Sequence, residues 1–288
     1  PDPQPVTRIL SAPAPLASAA PRPRLDLPHK DRQILRRLAG RVAELAARPC
    51  EDVKRQLWYR HNALQPTRPL IYCDPENGWH EILTPDVYEC EHPLARDWEF
   101  HFRKELFWGE RMNDDKVIEN RFYVAYVSKD DGWGVPIERH GGENGGSYGW
   151  TPSIRTWDDL KKLRRPTIAV DYEATRDRME LARTTFGDLL NIRVGGGWWW
   201  SLGMTELLIL LRGLEQVMMD MCAEPDGLHE LMAFLRDAHL AKLDFLEQHS
   251  LLTPNHDGPY VGSGGFGYTR ELPAPGYDGS RCRARDLW

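Results

Sequence analysis

Apolar residues recur at helical spacing near the start of the chain, where Ile34, Leu35, Leu38, Val42 and Leu45 share one face with Arg and Glu between them. The pattern predicts an amphipathic helix from Asp31 onward and a second around Glu51 to Asn62. The period then changes. Thr67-Arg68-Pro69-Leu70-Ile71-Tyr72-Cys73-Asp74 is a short apolar run ending in polar residues, the profile of a buried strand with a polar C-terminal end. Helical spacing returns over Leu94 to Trp108, and Asp114 to Val127 reads as one or two strands.

Residues 130–152, rich in Gly and Trp, predict a long loop holding a hairpin. A short helix over Asp158 to Leu163, a longer one over Tyr172 to Phe186, and a strand from Leu189 into a Gly/Trp loop ending at Gly203 follow. Residues 204–249 are strongly helical with a break at Glu224-Pro225-Asp226, and Met218, Met219 and Met221 are expected in the core. Residues 251–268 read as a strand, a polar cluster and a glycine loop. Helices alternating with strands imply a parallel sheet.

Composition narrows the function. The chain of 288 residues can bury a sizeable core. A net charge of -6 leaves no basic footprint for nucleic acid. Eleven tryptophans suit a pocket for a flat or bulky small molecule. Five cysteines, an odd number without C-x-x-C spacing, fit a reducing cytoplasm better than a disulfide framework. No apolar run is long enough to span a membrane as a helix. Residues 1–28, Pro/Ala-rich and without an initiating Met, read as a disordered leader, and the ending "DGSRCRARDLW" suggests a domain whose C-terminal part is missing.

In parallel α/β sheets functional groups gather where strands end. Asp74, Glu76 and Asn77 stand at one such end, either as an Asx-type turn or as a general acid or base with Tyr72 and Trp79 beside it. Glu119 lies in an apolar stretch and must be paired, raised in pKa or at a strand end, with Arg121 available as a simple ion-pair partner. His256-Asp257 offers a metal ligand or a carboxylate-oriented imidazole, or neither. Trp198, Trp199 and Trp200 follow three glycines and read as an aromatic wall or as packing. The glycine-rich stretch ending at Tyr268 reads as a flexible lid.

The run Trp198 to Asp237, a glycine/aromatic loop leading into two helices split by a proline, resembles a segment of the uroporphyrinogen decarboxylase-like superfamily, and Thr67 to Trp79 resembles its first-strand region. The resemblance implies a TIM-like (β/α)8 barrel over residues 67–288, C-terminally incomplete, behind an N-terminal helical extension at 29–66. It implies either cofactor-independent decarboxylation or zinc-dependent methyl transfer to a corrinoid or thiol acceptor. The decarboxylases carry an arginine-rich motif where this chain has the acidic Cys73-Asp74-Pro75-Glu76, which favours methyl transfer from a small neutral or cationic donor.

On that reading Asp74, Glu76, Glu119 and Asp257 are catalytic, and Asn77, Trp79, Trp198, Trp199, Trp200 and Tyr268 hold substrate. His256 is the metal ligand, with the remaining zinc ligands beyond Trp288. The expected partners are a small-molecule substrate, a corrinoid protein as methyl carrier and a second copy in a homodimer, without nucleic acid or membrane. The third reading is a non-catalytic binder using the aromatic pocket.

Overall fold

The computed structural model describes residues 25–142, 146–195, 197–198, 203–261 and 265–288. Most of the expected leader, together with Trp199 and Trp200, lies outside the described residues.

The N-terminal periodicity becomes α1 (His29–Ala46) and α2 (Pro49–Asn62). Ile34, Leu35, Leu38 and Val42 are buried on the stripe the spacing predicts, and they pack with Trp98, Phe102 and Leu106 of the later helix Pro93–Arg111. Polar groups fasten these layers. Asp31 is buried in the first turn of α1 and its Oδ2 accepts the His92 N–H at 2.8 Å, where the chain enters the later helix. Glu51, equally buried, pairs with Arg48 and accepts the Ile118 N–H at 2.9 Å.

A one-turn helix, α3 (Trp79–Ile82), precedes that later helix, which is α4 (Pro93–Arg111). Strand β1 (Arg121–Ala125) then pairs in parallel with a later strand, Asn191–Gly195. Between them come β2 (Val127–Asp130), β3 (Glu138–Gly141), β4 (Tyr148–Thr151), β5 (Ile168–Asp171) and α5 (Tyr172–Phe186). The later strand is β6 (Asn191–Gly195), followed by α6 (Met204–Arg212), α7 (Leu214–Ala223), α8 (Pro225–Gln248), β7 (Asp257–Tyr260) and β8 (Phe266–Tyr268). The hairpin expected within residues 130–152 is present as β3–β4.

The β1–β6 pair has two unlike faces, as a period of two requires. Phe122 and Val124 point with Ile192 and Val194 into the main core, where the Phe122 ring lies 5.1 Å from both Phe102 and Phe186. Arg121, Tyr123 and Ala125 occupy the other face beside Asn191, Arg193 and Gly195.

The closed barrel is not formed. The described strands pair as four two-stranded sheets, and only β1–β6 is parallel. The expected first strand fails for a local reason. The Ile71 N–H bonds to Asp115 Oδ2 at 2.8 Å and the Cys73 N–H to Asp114 Oδ2 at 3.0 Å, so side-chain carboxylates take donors that a neighbouring strand would need. Ile71 is also 58% exposed, which a strand buried on both faces does not allow.

The expected break at Glu224-Pro225 occurs, with Pro225 opening α8. A second break at Gly213 was not expected. Gly213 adopts φ 89°, and a Cβ there would meet Pro152 Cγ at 2.9 Å. The helix beyond it turns Met218, Met219 and Met221 outward, each at least 60% exposed, so these residues are surface and not core.

Candidate functional site

A cavity of about 380 Å³ opens where β1 and β6 end. Tyr123, Ala125, Gly195, Trp198, Asn255 and Tyr260 contribute to its lining. Its wall depends on a glycine: a Cβ at Gly195 would lie 2.8 Å from the Tyr123 ring, so only glycine lets that ring lie flat against β6. Trp198 is held by its indole N–H on the Leu251 carbonyl at 3.0 Å and stacks on Tyr126, with ring centroids 5.4 Å apart. Lys242 reaches in from α8 to donate to the Trp198 carbonyl at 2.9 Å.

The polar face of β1 continues below this wall as a partly buried ionic network. Glu119 receives Arg55 Nε and Nη2, each at 3.1 Å, and the Tyr268 hydroxyl at 2.6 Å, while Arg121 Nη2 stands 3.2 Å away. Arg121 Nη2 also donates to the Asp257 carbonyl at 2.8 Å, and Arg193 Nη1 to Asp257 Oδ2 at 2.8 Å. Three guanidiniums, those of Arg55, Arg121 and Arg193, thus face Glu119 and Asp257, and Asp52 pairs with Arg55 as a third carboxylate.

Burial pushes the Glu119 and Asp257 pKa values up, but the arginines outweigh it and hold both below the usual carboxylate range. Burial and the Glu119 charge drive the Tyr268 hydroxyl far upward. Glycine again makes the packing work. A Cβ at Gly258 would fall 2.4 Å from the Tyr268 hydroxyl, which therefore reaches Glu119 across bare backbone.

Not every polar atom of the network is in hydrogen-bond alignment. Arg121 Nη1 lies 2.9 Å from Asp257 Oδ1 but out of hydrogen-bond alignment, so both atoms are buried with no hydrogen bond. The Tyr123 hydroxyl and His256 Nδ1 are also buried without hydrogen-bond partners. Buried polar groups in folded proteins are nearly always satisfied, so such a concentration calls for an explanation.

The residues expected from sequence separate into two places. Trp198 lines the cavity, and Glu119, Asp257 and Tyr268 form the network beneath it, with His256 next in the chain. Asp74, Glu76, Asn77 and Trp79 do not line the cavity. Asp74 accepts from the Tyr72 hydroxyl at 2.9 Å, the Glu76 N–H at 2.9 Å and the Trp79 indole at 2.8 Å, which closes a local turn. Against the pull of burial, these bonds keep the Asp74 carboxyl below its ordinary pKa. Glu76 and Asn77 are exposed, and Trp79 is core, 3% exposed, with its ring 4.5 Å from that of Trp108.

No family model, curated protein or solved structure matches this chain. The donors near His256 do not fit a zinc ion, because Arg121 and Arg193 claim Asp257. Among the described residues no group of three His, Cys, Asp or Glu could hold a metal.

Sequence reasoning missed Tyr123 and Arg193 as site residues and read Arg121 only as an ion-pair partner. The signal was present in the alternation Arg121-Phe122-Tyr123-Val124, which puts both polar side chains on one face of a strand. Arg55 carried no such signal, since it comes from a helix 64 residues before Glu119.

Proposed function

We propose that the cavity at the end of β1 and β6 binds a small molecule carrying a carboxylate on a flat or apolar body, and that this chain is an enzyme acting on it. The observation that carries this reading is the Tyr123 hydroxyl, a donor of the cavity lining buried without a hydrogen bond, two residues along the same strand face from Arg121, whose Nη1 is ion-paired with Asp257 at 2.9 Å. A guanidinium and a hydroxyl together match a carboxylate. Tyr123, Trp198 and Tyr260 supply aromatic wall for the body of the ligand.

The reaction class this arrangement favours is cofactor-independent decarboxylation. Arg121 orients the carboxylate, the bond from carbon to carboxylate breaks, and carbon dioxide leaves. The electron pair stays on carbon, takes the Tyr123 hydroxyl proton, and water later restores that proton. Glu119 and Asp257 keep Arg121 charged and fixed, so they act as positioning residues.

Methyl transfer to a corrinoid or thiol acceptor rested on an acidic pocket, and Asp74 and Glu76 lie outside this one. The cytoplasm is the setting we propose, supported by the odd cysteine count; among the described residues no helix is long and apolar enough to cross a membrane.

The test is carbon dioxide release from a panel of aromatic and small aliphatic carboxylates, beside metal analysis of the same preparation. Release by metal-free protein supports the reading. Stoichiometric zinc with methyl transfer from a methylated donor to cobalamin or a thiol would overturn it.

A further inference from the structure

Helix α7 has two unlike faces. Val217 and Asp220 point inward: Val217 joins a core with Leu211, Leu231 and Leu235, and Asp220 Oδ2 accepts Arg212 Nε at 2.7 Å. Leu214, Met218 and Met221 recur at i, i+4 and i+7 on the outward side, and with Met219 they are four of the eleven large apolar side chains exposed among the described residues. Beside this stripe a groove of about 650 Å³ opens between α7 and β4, walled by Trp150, Pro152, Leu214 and Met219.

The charge around the apolar surface is of one sign. From Gly213 to Leu235 the chain holds Glu215, Asp220, Glu224, Asp226 and Glu230, and neither Lys nor Arg. Asp220 is buried in its pair with Arg212, while the other four carboxylates are exposed. Glu215 lines the groove itself. Arg139, opposite Trp150 in the β3–β4 hairpin, lies over the Tyr148 ring at 4.8 Å.

We propose that α7 docks a basic amphipathic helix of a partner protein. Methionine side chains are flexible and polarizable, so they mould to an apolar helix face, and the surrounding carboxylates then meet Lys or Arg at its edges. The stripe from Leu214 to Met221 is about 10 Å long, which two turns of a partner helix cover. A second copy of this chain fits less well, because a two-fold contact would set the same carboxylates against one another. The surface is separate from the cavity at the end of β1 and β6, which has no described lining residue on α7.

The test uses the full chain and a dye-labelled peptide of two Leu-Lys-Lys-Leu-Leu-Lys-Leu repeats, beside a counterpart with Glu for Lys and a third peptide of the same Leu/Lys composition in scrambled order. Fluorescence anisotropy should show the helical Lys peptide bound at least about tenfold more tightly than either of the others, and more weakly as salt rises. Met218→Gln with Met221→Gln should lower that affinity at least about tenfold, while Met218→Leu with Met221→Leu keeps it, because apolar side chains stay in place. Equal binding of the helical and scrambled peptides, or an affinity unchanged in the Gln variant, overturns the proposal. So does self-association of the chain in sedimentation that the Gln variant abolishes, since a second copy is then the occupant.

Discussion

The two faces of the β1–β6 pair differ in what holds them. On one, Phe122 and Val124 join a core of helix stripes and rings, and burial alone explains the arrangement. On the other, Arg121 and Tyr123 sit among arginines, a carboxylate and a tyrosine hydroxyl drawn from α2, β6, β7 and β8, with the Tyr123 hydroxyl left without a hydrogen bond. The first face is built for stability. The second carries buried charge, which costs desolvation even when it is paired, and that cost points to a use.

The contrast predicts mutations of decreasing effect. Phe122→Ala, which empties a site ringed by Trp98, Phe102 and Phe186, should cost about 3–5 kcal/mol of stability in urea unfolding. Glu119→Gln leaves Arg55 and Arg121 facing a neutral amide and should cost about 3 kcal/mol by the same measurement. A loss under about 1 kcal/mol would show that the network is solvated and would remove the contrast.

A pH series sharpens the same point. Glu119 and Asp257 titrate lower in the folded chain than in the unfolded one. Their contribution is therefore fully present above the ordinary carboxylate pKa of about 4 and is lost as pH falls through the folded values. Glu119→Gln should flatten that part of the stability profile, and an unchanged slope would count against the assignment. The smallest stability effect is expected at Tyr123→Phe, within about 0.5 kcal/mol, because it removes a hydroxyl with no hydrogen-bond partner.

The stable face was the legible one. Ile34, Leu35, Leu38 and Val42 announce α1 through spacing alone, and Pro225 marks the start of α8. The failure of the expected barrel was not legible, because its first expected strand is disarmed by Asp114 and Asp115 some forty residues later, a long-range bond that no local pattern shows. The site was half legible. Glu119 drew notice as a carboxylate among apolar residues, and Trp198 as an indole after glycines. Asp74 drew notice through its aromatic neighbours Tyr72 and Trp79, which are its own turn partners. The unbonded Tyr123 hydroxyl depends on hydrogen-bond alignment in the folded chain, a property of three-dimensional geometry alone.

The account rests on the claim that the arginine-backed cavity takes a carboxylate. Benzoate and its neutral amide, benzamide, share a flat body and differ in that group, and their binding to the full chain can be compared by calorimetry with intrinsic tryptophan fluorescence as a second signal. Benzoate should bind at least about tenfold more tightly than benzamide, with most of the preference lost in Tyr123→Phe. Equal affinities for the two, or saturable binding of neither, would contradict the claim.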